Sequence, residues 1–209
     1  MRKKVDINSW NRKDHYHFFS KFTEPFYGIT ADVECDFAYH QAKTNKQSFF
    51  LTYIHKALQV ANDIQAFRYR IIDDVLYEYE MIDASPTINR EDGTFGFSYL
   101  KFHQNFETFQ LESKKEIEII KASKRLFPKE TSENVIHFSA LPWIKFTSLS
   151  HARHYDITDS CPKISFGKLF EKDNKLHFPV SVHVHHALVD GRDVGLFFEN
   201  FEKLMSSKN

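Results

Sequence analysis

The sequence predicts an α/β (α+β) protein, a mixed β-sheet covered by helices, folded as a single domain over residues 1–209. Two patterns carry this expectation. Strand-period segments dominate the middle of the chain while helix-period segments recur at intervals. No repeat, low-complexity tract or Pro/Gly-rich linker divides the chain, and its 209 residues can bury a core that needs no disulfide or metal staple.

The elements follow in order. "SWNRKDHYHFF" reads as a short helix capped by Ser9, and "GITADVEC" alternates Ile29, Ala31, Val33 and Cys35 against polar neighbours, as a half-buried strand does. A stronger helix places Phe50, Ile54, Ala57, Leu58 and Ala61 on one face. "AFRYRIIDDVLYEYEMI" gives two strands joined at Asp73 and Asp74; after a polar turn, "GTFGFSYLKF" is another strand. "FETFQLESKKEIEIIKASKRLF" is a long amphipathic helix, and "NVIHFSALPWIKFTSL" is a strand, a break at Pro142 and a second strand. "KISFGKLFEKDNKLHFPVSVHVHH" is a hairpin turning at Asp173 and Asn174. The closing helix has Val194, Phe197, Phe198, Phe201 and Leu204 on its apolar face.

Composition narrows the function. Lys+Arg and Asp+Glu both number 28, so no net field draws nucleic acid or an anionic membrane. Cys35 and Cys161 are too few and too far apart for a disulfide framework, which fits a reducing cytoplasm. The basic N-terminus is followed by no apolar segment, and no run of about 18 apolar residues occurs. The expectation is a cytoplasmic protein that is neither exported nor membrane-spanning. The 22 phenylalanines imply an aromatic core or ligand pocket.

The chemistry concentrates in "VSVHVHHALVDG". Val180, Val182 and Val184 alternate with Ser181, His183 and His185, so His186 follows on the valine side and should point inward. Imidazole so placed suits proton transfer or metal binding. Taken alone, Asp190 is a helix cap and a strand-end histidine is a hydrogen-bonded structural residue, the reading kept for His183 and His185. The His183/His185 spacing resembles that of zinc sites, but His151 and His154 of "HARH" are the only other candidate ligands, so no metal is expected.

The complete pattern HHxxxDG, His185 to Gly191, resembles the active-site signature of the chloramphenicol acetyltransferase family. A related signature occurs in the acyltransferase subunits of 2-oxo acid dehydrogenase complexes, whose lipoyl domains and linkers have no counterpart in these residues. Further segments resemble the former family in the same order. "NSWNRKDHYHFF" is similar to its N-terminal WxRxxHFxFY, "FHQNFETF" to a mid-chain FHxExxTF, and "LFPKETSENVIHFSALPWIKFTS" to its LFP…ENxxxxSxxPWxxFxS. Ser139 and His186 are spaced as in the family without a gap.

The resemblance implies a two-layer fold and an O-acetyltransferase that moves acetyl from acetyl-coenzyme A to a chloramphenicol hydroxyl; the alternatives are an O-acyltransferase for another small alcohol and a non-catalytic coenzyme-binding trimer. It makes His186 the general base, Ser139 the stabiliser of the tetrahedral oxyanion, and Ser165 a hydroxyl in the place of an assisting threonine. Asp190 and Arg12 match a buried ion pair that holds the catalytic turn. Trp143, with Ser139 and Ser165, matches positions along the coenzyme path, and Phe18, Phe19, Phe102, Phe109 and Phe127 match or adjoin the acceptor pocket. The family also implies a homotrimer with active sites between subunits. Departures fall mostly on the acceptor side: Phe19 replaces a tyrosine, His151 and Arg153 stand where aliphatics are common, and Asp159 replaces a tyrosine. A more polar acceptor site is implied. Leu169 replaces a tyrosine near the coenzyme.

Overall fold

The computed structural model describes residues 1–128, 132–153 and 159–206. The chain opens with β1 (Arg2–Lys4) and α1 (Lys13–Phe19), then β2 (Phe26–Glu34), α2 (Asp36–Thr44) and α3 (Phe49–Asp63). A single 3-10 turn leads into β3 (Tyr69–Ile72) and β4 (Val75–Tyr79), which with β1 form a small antiparallel sheet. There follow β5 (Asp83–Asn89), β6 (Phe95–Phe97), α4 (Phe106–Ala122) and β7 (Val135–Ala140). The chain ends with β8 (Lys163–Phe166), β9 (Phe170–Lys172), β10 (Lys175–His185) and α5 (Gly191–Ser206). The large sheet runs β2-β10-β8-β7-β5-β6, with β9 paired to β10. It is mixed: β5, β7 and β8 are parallel, the other pairs antiparallel.

Both hairpins turn where the sequence places them. Asp73, Asp74, Asp173 and Asn174 all have positive φ, the conformation a two-residue turn needs to match the twist of its strands. Val180, Val182 and Val184 are completely buried on one face of β10, packed with Ile164, Phe166 and Phe138 of the neighbouring strands. Helices α3 and α5 cover that face with Ile54, Leu58, Phe197 and Phe201, so the abundant phenylalanine lies largely in the core.

Five expectations need correction. Ser9 does not cap α1; its hydroxyl bonds Asp6, and the helix begins after Arg12 without a side-chain cap. Helix α2 was not expected, because only Ala38 and Ala42 of its polar stretch are completely buried and so small a stripe gives little periodic signal. Strand β5 was not expected either. Its sequence DASPTIN is rich in turn residues, yet it is largely buried between β7 and β6. No strand follows Pro142, where residues 141–149 run irregularly, and "GTFGFSYLKF" contributes only the three residues of β6.

Candidate active site

The chemistry-bearing residues form two groups on opposite faces of the large sheet. The first surrounds the turn after β10. Tyr27 pairs with Val184 across β2 and β10, so its side chain lies on the valine face. His186 packs there too, its ring centroid 4.6 Å from Tyr27 and stacked 3.9 Å from Phe19. The sequence parity expects His186 to turn inward. The imidazole is in fact half-buried, and its buried Nδ1 has no hydrogen-bond partner among the described residues.

Arg12 fastens this turn. Its guanidinium meets the Asp190 carboxylate with both terminal nitrogens, Nη2 at 3.2 Å from Oδ1, and Nη2 donates at 3.4 Å to the carbonyl of His186. The Arg12 hydrogen bond, with its charge, holds the Asp190 carboxyl below the usual carboxylate range despite the opposing effect of burial. The pair is only partly buried, since a third of the Asp190 side chain is exposed. Asp193, not Asp190, accepts the backbone N–H at the start of α5, at 2.9 Å. Asp190 is thereby free to face Arg12.

The second group is a row of hydroxyls on the other face. Ser139 pairs with Ser165, Ser165 with Ser181, and Ser181 with Thr30, across β7, β8, β10 and β2. Thr30 donates to Ser181 Oγ at 3.0 Å, which lies 3.3 Å from His183 Nδ1. Ser165 is completely buried, yet its Oγ has no partner among the described residues. Ser139, half-buried, ends the row.

His185 and His183 share this polar face. His185 is buried, its Nδ1 accepts from Ala187 N–H at 3.2 Å, and burial, then Arg153, pushes it down to about 4. His137 is likewise lowered to about 4 by burial and then by Lys163. Lys163 is paired with Asp159. That carboxyl lies below its ordinary value because Lys163 and its hydrogen bonds outweigh the burial that would raise it. No group of three or more His, Cys, Asp or Glu able to hold a metal occurs among the described residues, and His154 lies outside them.

Within one chain the two groups do not meet. His186 lies five residues beyond Ser181, roughly 16 Å along the strand at about 3.3 Å per residue, and on the opposite face. The aromatic positions divide similarly. Phe18 is 60% exposed and packs edge-on to Phe19. Phe109 is completely buried and, with Phe102, surrounds His55, so it lines nothing accessible. Phe127 stacks on Phe97 at 4.8 Å. Among the described residues no ring contact joins Phe102, Phe109 or Phe127 to His186 or Phe19.

A groove of about 610 Å³ is lined by Ser48 and Phe50, at the head of α3, and by Ala140 and Pro142, which follow Ser139 in the chain. Trp143, the next residue after Pro142, is 67% exposed. Leu169 packs partly against the core between β8 and β9. The sequence reading missed Tyr27, whose ring contact with His186 leaves no local motif. It also missed the continuity of the hydroxyl row, which four separate strands assemble.

This architecture is that of acyltransferases. A solved chloramphenicol acetyltransferase superposes with a TM-score of 0.90 at 32% identity, covering 99% of this chain and 100% of that one. The Azotobacter vinelandii dihydrolipoamide acetyltransferase shares the fold at a TM-score of 0.68 and 10% identity, over 93% of this chain and 86% of that one. The family model for chloramphenicol acetyltransferase matches residues 2–202, and the chain belongs to that family. A chloramphenicol acetyltransferase of Bacillus pumilus is 31% identical over 95% of this chain and 91% of its own length. Chloramphenicol acetyltransferase 3 of Escherichia coli is 27% identical over 98% and 97%.

Proposed function

We propose that the protein is an acetyl-coenzyme A dependent O-acetyltransferase that acetylates a hydroxyl of chloramphenicol, working as a cytoplasmic homotrimer of single-domain chains whose active sites form between copies. The observation that carries this reading is the separation of His186 from Ser139 and Ser165. A base and an oxyanion donor must act on two oxygens that become bonded to one carbon, so two groups on opposite faces of one sheet support a site completed by a second copy.

In this reading His186 of one copy meets the hydroxyl row of the next. The acceptor hydroxyl attacks the thioester carbonyl while the imidazole takes its proton. Ser139 donates to the oxygen that gains charge, and Ser165, whose hydroxyl lacks a partner in the single chain, assists. Collapse of the intermediate breaks the carbon–sulfur bond, and the thiolate leaves with the proton from the imidazolium. Arg12 and Asp190 hold the turn that aims His186. The groove lined by Ala140 and Pro142 suits the coenzyme's extended arm, with Trp143 the next residue along the chain. Phe18 and Phe19 then border the acceptor from the base side, and Phe102 and Phe127 shape the opposite wall, with the buried Phe109 backing Phe102 through His55.

Thiol release from acetyl-coenzyme A with and without chloramphenicol tests the reaction. Mixing tests the shared site. His186→Ala and Ser139→Ala chains, each inactive alone, are refolded together, and about a quarter of the sites in a random mixture then hold both intact residues. Activity regained on mixing supports the reading, whereas a mixture as inactive as its parents overturns the inter-copy site.

A further inference from the structure

Beside the hydroxyl row the same sheet face carries a cavity of about 200 Å³. His183 and Lys163, which pair across β10 and β8, lie two residues, roughly 7 Å, along the strands from the Ser181–Ser165 pair. The cavity is completed by Phe26 and Gly28 of β2 and by His151 and Arg153. A Cβ at Gly28 would lie 2.3 Å from His183 Nε2, so a side chain there would displace the imidazole. The His183 imidazole thus fills the space of the missing side chain. His151 meets it edge-on, with ring centroids 4.8 Å apart, and the buried Nε2 of His151 has no hydrogen-bond partner among the described residues.

The charges around the cavity are already compensated. Arg153 pairs with Glu24 and Lys163 with Asp159, and both cations lie over the Phe26 ring, at 3.7 and 4.7 Å. Burial, then the neighbouring His183, pushes His151 down to about 4, and burial lowers His183 as well. Both rings are therefore neutral near pH 7. A neutral imidazole offers one donor and one acceptor, the same pair a hydroxyl offers. An anionic ligand finds each cation taken, and an apolar ring gives the unpartnered His151 nitrogen nothing to bond, whereas a hydroxyl satisfies it. The volume equals roughly six or seven water molecules, room for one substituted six-membered ring.

We infer that this cavity receives an uncharged, polyhydroxylated part of the acceptor alcohol, with His151 as a specificity-determining side chain. The inference rests on the acetyl-transfer reading and extends its acceptors beyond chloramphenicol to neutral polyols. Chloramphenicol and 4-nitrophenyl β-D-glucopyranoside share a nitroaryl group, and the glucoside adds a polyhydroxylated ring. The protein is expected to acetylate both. His151→Leu is expected to lower kcat/KM for the glucoside about tenfold or more while chloramphenicol changes less than about threefold, because a site that hydrogen-bonds a hydroxyl penalises its own loss of polarity. His151→Gln, which keeps a donor and an acceptor, should retain the glucoside preference and serves as the comparison if the leucine variant does not fold. Saturation-transfer NMR on the unmodified protein reads glucoside binding without turnover. Acetylation of chloramphenicol but not of the glucoside overturns this inference and leaves the acetyl-transfer reading standing. So does an unchanged selectivity ratio in a folded His151 variant that has lost polarity. Glucoside binding with acetyl transfer to neither alcohol overturns the acetyl-transfer reading instead.

Discussion

The two halves of the site are built on opposite strategies. The imidazole half is local: His186 and Asp190 lie four residues apart, and the Arg12 guanidinium touches both. The hydroxyl half is distributed, one residue from each of four strands, aligned only because the sheet registers agree. A local half is held by a clamp and a stacked ring. A distributed half is held by the whole sheet, so its geometry survives many single changes while its chemistry depends on individual atoms.

The strongest way to break the comparison is to remove the base. His186→Ala should lower kcat by about 10²–10⁴, the usual worth of a positioned general base. Coenzyme affinity should stay nearly unchanged, because in the proposed site the imidazole acts on the proton of the acceptor hydroxyl and does not hold the coenzyme. Turnover of the purified variant and equilibrium binding of coenzyme A give both readouts. Near-normal turnover removes His186 from the chemistry.

Acid should next separate the halves. His137, His151 and His185 all lie at about 4 in the fold, against an ordinary histidine value near 6.5. Their unfolded forms bind protons first as pH falls, so the stability they support is present above about 6.5 and is lost progressively down to about 4. All three lie on the hydroxyl face or its covering segment. The unfolding midpoint should fall steeply across that window, and His185→Gln should flatten the fall. A flat stability profile between pH 7 and 5 contradicts these neutral buried imidazoles.

How much of this the sequence disclosed differs between the halves for a physical reason. HHxxxDG lies in one stretch, and the periodicity of β10 alone places His186 on the valine side. The partnership with Arg12 spans 178 residues, and only resemblance to a family brought it into view. Cross-strand registers such as Ser139 with Ser165 follow from the whole topology, including β5, whose Pro86 and Ser85 hide it from a strand pattern. The contacts of His151 were equally invisible, since they depend on the missing side chain of Gly28 and its effect on His183.

The clamp provides a smaller test. Because Asp190 is a third exposed, breaking the pair should cost less than the several kcal/mol of a fully buried one. Arg12→Ala and Asp190→Ala should each cost about 1–3 kcal/mol, the range for stranding one hydrogen-bonded charge. The double variant should lose less than the sum, as neither charge then remains unpaired. Denaturant unfolding at fixed protein concentration measures the cycle. Strict additivity disconnects the clamp from the turn.

The smallest expected effect is the most discriminating, because it compares two neighbouring serines. Ser165 and Ser181 face each other across β8 and β10, and both are completely buried. Ser181 Oγ accepts from Thr30 at 3.0 Å, so Ser181→Ala takes the acceptor from the half-buried Thr30 hydroxyl and should cost about 1 kcal/mol of stability. Ser165 Oγ has no partner among the described residues, so Ser165→Ala replaces an unsatisfied hydroxyl with a methyl group and should leave stability unchanged or slightly raised. Turnover should move the other way. Ser165→Ala should lower kcat about tenfold, a modest share of what a lost oxyanion donor commonly costs because Ser139 remains, while Ser181→Ala should leave kcat near normal. Paired unfolding curves and initial rates decide it. If both variants lose stability and keep their rate, the hydroxyl row is only a seam in the sheet, and the oxyanion must be stabilised elsewhere.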